Sequence, residues 1–96
     1  MPSTKRLEVL PQVYKFLRTL APEPRRRLRL AIAALQNWDG DIKALEGDLE
    51  GFWRLRVASY RVIFAVEMRQ GHETVICLFA ERRSVIYELF ARMLNA

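Results

Sequence analysis

Hydrophobic residues in the first part of the chain recur at helical spacing. Two runs follow this period, on either side of an interruption at residues 21–24: Val13, Phe16, Leu17 and Leu20, then Leu28, Ala31, Ile32 and Leu35. They predict two helices joined by a short turn. The preceding segment Lys5–Leu10 is short, partly alternating and closed by Pro11, which predicts an edge strand that ends where the first helix begins.

The spacing changes to alternation in the second half of the chain. Three strands are predicted, at Phe52–Val57, Tyr60–Glu67 and Thr74–Ala80. The first two are joined tightly through Ala58 and Ser59, and Arg69–His72 forms the second turn. The segment Ile42–Gly51 before them holds glycines and acidic residues, which predicts a connecting loop.

The chain closes with an apolar stripe at helical spacing in Ser84–Leu94, which predicts a last helix. The order β-α-α-β-β-β-α defines an α+β fold, an antiparallel meander sheet with an N-terminal helical hairpin and a C-terminal helix. With 96 residues we expect one domain over 1–96.

Composition excludes several classes of protein. One cysteine, Cys77, cannot form an internal disulfide, and with one histidine, His72, a Cys/His zinc site is not expected. We expect no cofactor. No apolar run is long enough to span a membrane and no signal peptide follows the first residues, which predicts a cytoplasmic protein with no membrane partner. The net charge of +5 comes mainly from arginine, which suits a polyanionic partner.

Several arginines are predicted to converge. Because side chains alternate across a strand, Arg54 and Arg56 share a face, and Arg61 joins them if both strands turn their apolar sets to the helices. Arg83 and Tyr87 are four residues apart, neighbours on a helix, with Arg82 just before them. This cluster fits a phosphodiester cradle, and it also fits a solvated sheet face. The run from Arg25 to Arg29 has the same two interpretations.

A sequence signature in the second half resembles a known family. Leu45–Phe64 has the pattern L-x-G-x-L-x-G-aromatic-x-R-L-R-x-x-x-Y-R-V-I-F, and Arg82–Tyr87 supplies a basic pair followed by V-x-Y. This pattern is similar to the central signature of the RelE/ParE superfamily of bacterial toxins. The resemblance is strongest from Leu45 to Tyr87, and the order of elements extends it over nearly the whole chain.

The resemblance implies a toxin of a type II toxin–antitoxin system, neutralised by a cognate antitoxin through which operator DNA is bound. RelE-like members are ribosome-dependent mRNA endonucleases, in which the 2′-hydroxyl of the message attacks the adjacent phosphate and leaves a 2′,3′-cyclic phosphate. By this resemblance Arg54 and Arg56 bind the phosphate or act as a base, and Arg61 stabilises the pentavalent phosphate. Arg82 or Arg83 protonates the leaving oxygen, and Tyr87 stacks on or orients a base.

The chain departs from the nuclease pattern at two positions, and two other functions stay open. Arg54 stands where nuclease members have lysine, and Glu81 where many have histidine; because arginine is a poor base, Lys43 is a further candidate. The alternatives are a ParE-like inhibitor of DNA gyrase and a non-toxic relative that keeps antitoxin binding. ParE-like members tend to have a longer helical hairpin than Pro11–Asn37.

Overall fold

A single five-stranded sheet with helices on both faces makes up the fold. The computed structural model describes residues 4–95. The elements are β1 (Arg6–Val9), α1 (Pro11–Arg18), α2 (Pro22–Ala34), β2 (Asp41–Ala44), β3 (Trp53–Val57), β4 (Tyr60–Arg69), β5 (His72–Arg82) and α3 (Ile86–Leu94). Single 3₁₀ turns at Leu35–Asn37 and Gly47–Leu49 precede β2 and β3.

The sheet has the strand order β1-β5-β4-β3-β2. Strands β3, β4 and β5 form the predicted antiparallel meander, and β1 lies at one edge, parallel to β5. The α+β class, the helical hairpin, the edge strand and the meander are therefore confirmed. The complete sheet is mixed rather than antiparallel, because the chain crosses from β1 through the helices before it returns.

The predicted loop at residues 42–51 is wrong in its first part. Asp41–Ala44 forms β2, which pairs antiparallel with β3 and becomes the second edge of the sheet. Locally this segment is polar and short, but Ile42 packs against the core, and pairing with β3 supplies the backbone hydrogen bonds. Tertiary pairing therefore overrides the local turn signal.

Other boundaries also move. The second hairpin turn is only Gln70–Gly71, so β4 and β5 are both longer than predicted. The last helix begins at Ile86 rather than Ser84, because the backbone turns through Arg83–Val85 and the Val85 N–H donates to the Arg82 carbonyl at 3.0 Å.

Two hydrophobic clusters lie on opposite faces of the sheet. Helices α1 and α2 cover one face, and the buried residues there include Val13, Leu28, Leu55, Phe64 and Cys77. On the other face α3 buries Ile86 and Phe90 against Ile63 and Phe79. A bulge at Leu78 interrupts the β4–β5 register between Ile63 and Phe64. It shifts the alternation of β5 and turns Glu81 toward the α3 face, opposite Arg61.

The arginine-rich start of α2 has a structural role in part. Both helices begin with proline, whose fixed φ suits the first helical position. The Arg25 side chain donates from Nε to the Leu17 carbonyl at 3.1 Å and from Nη2 to the Leu20 carbonyl at 2.8 Å. The Leu17 carbonyl also accepts the Leu20 N–H at 3.1 Å, so Arg25 adds a second bond there and links the end of α1 and the turn after it to α2.

Candidate functional site

A row of four charged residues crosses the sheet on the α3 face. The strand register aligns Asp41 of β2 with Arg56 of β3, Arg56 with Arg61 of β4, and Arg61 with Glu81 of β5. We call these four residues the charged row. The predicted convergence of Arg54, Arg56 and Arg61 is present, because Arg54 lies two residues along β3 from Arg56 on the same face.

Asp41 connects the two arginines of β3. The Nη1 atom of Arg54 donates to the Asp41 carbonyl at 3.1 Å and lies 3.2 Å from the Asp41 Oδ1. Nε of Arg56 lies 4.0 Å from Oδ2 of the same carboxylate. The Arg54 side chain is only 16% exposed and that of Arg56 is 56% exposed. The ion pair of Asp41 with Arg54 is therefore better defined than its ion pair with Arg56. A carboxylate is thus bound where the sequence predicted a phosphate.

Arg61 is buried and serves the adjacent turn. It is 7% exposed, and its Nη1 donates to the Ala58 carbonyl at 3.0 Å and to the Tyr60 carbonyl at 2.8 Å. Ala58 has a left-handed φ of 53°, which is unfavourable for a residue with a β-carbon. The guanidinium therefore stabilises a strained turn between β3 and β4.

A pocket of about 180 Å³ opens beside Arg54. It is lined by Lys43, Ala44, Leu45, Glu46, Arg54 and Tyr87. Lys43 lies directly opposite Arg54 in the β2–β3 register, and Tyr87 packs against the α3 cluster. We call this cavity the Tyr87 pocket. It brings together two residues that the sequence singled out for different elements, Arg54 on β3 and Tyr87 on α3.

Neither of the two arginines before α3 lines the Tyr87 pocket. The Arg82 guanidinium lies 6.0 Å from the centre of the Tyr60 ring, and Tyr60 packs against the α1–α2 cluster. The structure therefore does not bring Arg82 together with Arg54, Arg56 and Arg61. Arg83 is exposed, and its backbone N–H donates to the Ser59 carbonyl at 2.8 Å, beside the turn that Arg61 stabilises.

The predicted helical spacing of Arg83 and Tyr87 is also wrong. Because α3 begins at Ile86, Arg83 lies in the preceding turn, and the i,i+4 relation of a helix does not apply. The proximity of Tyr87 to Arg54 comes instead from packing of α3 on the sheet.

Two contributors were missed from the sequence, Asp41 and Glu46. Both were assigned to turn or loop, since polar residues beside glycine are typical of turns. A hydrophobic residue, Ile42, between polar neighbours was the one local signal for β2, and it was too short to decide the assignment.

The other reactive side chains lie elsewhere. His72 is exposed and is the first residue of β5, at the far end of the β4–β5 hairpin from Arg61. Cys77 is buried in the α1–α2 cluster, and burial raises the pKa of its thiol to about 12. Among residues 4–95, no three His, Cys, Asp or Glu side chains are grouped to hold a metal ion. No helix in that range is long and apolar enough to cross a membrane.

Solved structures with the same fold are toxins of toxin–antitoxin systems. The chain is similar to a protein of the RelBE2 toxin–antitoxin complex from Mycobacterium tuberculosis, with a TM-score of 0.68 and 18% identity over 83% of this chain and 99% of that one. It is also similar to a protein of the archaeal RelE–RelB complex from Pyrococcus horikoshii, with a TM-score of 0.66 and 27% identity over 85% and 98%. A doubly substituted E. coli toxin RelE in the free state matches over 96% of both chains, with a TM-score of 0.66 and 12% identity.

The comparisons confirm the resemblance at the level of fold. The chain has the fold of the RelE-like toxin superfamily, and its structural neighbours are type II toxins. No protein-family model matches the chain. No curated protein matches it either.

Proposed function

We propose that this protein is the toxin of a type II toxin–antitoxin system and cleaves mRNA on the ribosome. The observation that carries the proposal is the Tyr87 pocket, which joins Arg54 and Tyr87 beside the charged row on a RelE-like fold. Phosphoryl transfer depends mainly on positioned positive charge and on in-line geometry. A pocket between basic residues and an aromatic ring suits a phosphodiester with its flanking base.

Each basic residue has a distinct part in the proposal. Arg54 binds the scissile phosphate, because its guanidinium lines the pocket and only Nη1 is bound to Asp41. Arg56 is the more exposed of the pair and contacts the neighbouring phosphate. Arg83, held beside the β3–β4 turn by its backbone, extends positive charge along the RNA.

Arg61 and Tyr87 complete the site. Arg61 keeps the turn in shape through its two carbonyl bonds and adds buried positive charge under the phosphate. The Tyr87 ring, partly buried against the α3 cluster, stacks on a base or orients it. The products are a 2′,3′-cyclic phosphate on one fragment and a 5′-hydroxyl on the other.

Message cleavage tests the proposed activity. The protein is induced without an antitoxin, and new mRNA 5′ ends are mapped for the wild type and for Arg54→Gln. We expect cuts inside translated codons that disappear in Arg54→Gln. Arg26→Gln is the matched control, because Arg26 is exposed on α2 on the opposite side of the sheet, and it should cut like the wild type. Growth arrest with intact mRNA and with DNA breaks contradicts a nuclease and indicates a gyrase inhibitor.

The partner in this proposal is a cognate antitoxin. The proteins similar to this chain from M. tuberculosis and P. horikoshii were solved in toxin–antitoxin complexes. The net charge of +5 favours an acidic, partly disordered partner that wraps the toxin, and operator DNA is then bound through the antitoxin. Co-expression with the adjacent reading frame should restore growth and yield a complex that weakens with added salt. Failure to rescue growth contradicts this assignment.

A further inference from the structure

The arginines of the site leave one chemical requirement unmet. In-line attack by a 2′-hydroxyl needs a group that takes its proton, and a guanidinium is a hydrogen-bond donor only. The ammonium form of Lys43 has the same limitation, although Lys43 lines the pocket. A carboxylate, an imidazole or a thiolate accepts such a proton, and these groups near the pocket are the candidates.

Most of the carboxylate, imidazole and thiol groups of the protein do not line the Tyr87 pocket. His72 begins β5 at the hairpin turn, far from the pocket, and Cys77 is inside the core on the other face. Asp41, which is bound to Arg54, does not line the Tyr87 pocket, and neither does Glu81, whose Oε2 accepts the Arg82 backbone N–H at 2.6 Å. Glu46 lines the Tyr87 pocket and makes neither a side-chain hydrogen bond nor an ion pair within residues 4–95.

The backbone around Glu46 is fixed on both sides. The Leu45 N–H donates to the Phe52 carbonyl at 2.9 Å, and the Glu46 carbonyl accepts the Leu49 N–H at 3.2 Å. Gly47 has a left-handed φ of 64°, which lets the chain turn immediately after Glu46. Glu46 is thus held at the mouth of the pocket, three residues along the chain from Lys43.

We propose that Glu46 is the general base of this site and that Lys43 is its general acid. The inference rests on the function proposed above, and it names the residues that move protons. Glu46 takes the proton from the 2′-hydroxyl as the bond from O2′ to phosphorus forms. The bond from phosphorus to O5′ breaks, and the Lys43 ammonium gives its proton to the leaving O5′. Proton exchange with water then restores the Glu46 carboxylate and the Lys43 ammonium.

The charges in the pocket suit this division of roles. Among the residues that line the pocket, Lys43 and Arg54 are cations and Glu46 is the one anion, while the Asp41 carboxylate beside the pocket offsets part of the Arg54 charge. Lys43 and Arg54 face each other across β2 and β3, which places the acid and the phosphate ligand on adjacent strands. Arg54 neutralises charge that builds on the phosphate in the transition state.

Single-turnover cleavage of ribosome-bound mRNA tests the inference, with the full chain made by cell-free translation. We expect Glu46→Gln to lower the cleavage rate about 10²- to 10⁴-fold, with unchanged Tm and ribosome affinity. The wild-type rate should fall as the solution is acidified, because protonation removes the acceptor, and this acid limb should be absent in Glu46→Gln. Glu50→Gln is the matched control in the same segment and should cleave like the wild type, with the acid limb kept.

Lys43→Gln tests the general acid. It should slow the cleavage of mRNA whose leaving atom is the ordinary 5′-oxygen. An mRNA with a 5′-bridging phosphorothiolate, whose sulfur leaves without a proton, should be cut by Lys43→Gln at the wild-type rate.

The outcomes separate the inference from the proposed function. A Glu46→Gln protein that cleaves like the wild type, or one that is slower but keeps the acid limb, overturns the role of Glu46. If the phosphorothiolate does not rescue Lys43→Gln, the role of Lys43 as the acid is overturned. Uncut mRNA with the wild-type protein contradicts the proposed nuclease function itself.

Discussion

Replacement of Arg61 by alanine separates a positioning role from a direct role in catalysis. The side chain is 7% exposed and donates to two carbonyls of the β3–β4 turn, at 3.0 Å and 2.8 Å. A hydrogen bond from a charged donor contributes about 1.5–3 kcal/mol, and water at the exposed turn recovers part of it. We expect Arg61→Ala to lower the free energy of unfolding by about 3 kcal/mol, which lowers the Tm by roughly 12–24 °C in a domain of this size.

Thermal unfolding followed by circular dichroism measures this effect, with Arg56→Ala as the matched control. Arg56 is the cross-strand neighbour of Arg61, and its side chain is 56% exposed with a single 4.0 Å contact to Asp41. Its removal should change the free energy of unfolding by no more than about 0.5 kcal/mol. The two variants remove the same charge from adjacent positions, so net charge does not explain a difference between them.

Arg61→Lys extends the test to function. Lysine keeps the charge but cannot repeat the two bonds in the same geometry, so we expect an intermediate Tm with cleavage retained wherever the protein is folded. The reasoning is refuted if Arg61→Ala keeps the Tm of the wild type but no longer cleaves mRNA. That result assigns Arg61 to the reacting phosphate rather than to the turn.

Three further predictions concern stability and reactivity. Gly40→Ala should destabilise by about 1–3 kcal/mol in urea unfolding, because φ is 138° and the new Cβ lies 2.8 Å from Cδ1 of the buried Leu55; an unchanged midpoint contradicts this. Gln70→Asn should raise the Tm by a few degrees, since Gln70 (φ 51°) and Gly71 (φ 77°) form a turn that favours Asn-Gly; a lower Tm counts against it. Burial raises the Cys77 pKa from 9.0 to about 12, so its contribution to stability is complete below about pH 9 and is lost as pH rises toward 12. Iodoacetamide at pH 8 should leave the native thiol unmodified and alkylate it in urea, and rapid labelling of native protein is the contrary result.

Strong periodic patterns in the sequence predicted most of the fold correctly. The alternation in β3 to β5 and the helical spacing before it each extend over enough residues to define an element. Strand β2 was missed because four residues with one apolar side chain carry no period, and only pairing with β3 makes them a strand. The bulge at Leu78 likewise depends on packing that no local pattern encodes.

The candidate site was predicted in part for the same reason. Alternation placed Arg54, Arg56 and Arg61 on one face, but it gave no indication that Arg61 turns to the backbone of its own hairpin. Asp41 begins β2 and Glu46 follows that strand. Neither could be assigned to the site from the sequence, because this segment was predicted to be turn and loop. The position of Arg82 beside Tyr60 depends on the register at the end of β5, which the sequence does not show.

The chemical nature of the mRNA ends tests the central claim most directly. Ribosome-bound mRNA is treated with the protein, and the fragment ends are identified by mass spectrometry, in parallel with a message carrying a 2′-deoxynucleotide at the cut position. We expect a 2′,3′-cyclic phosphate and a 5′-hydroxyl, with no cut in the deoxy-substituted message. Uncut mRNA, or a 3′-hydroxyl with a 5′-phosphate, contradicts cleavage by the 2′-hydroxyl in the Tyr87 pocket.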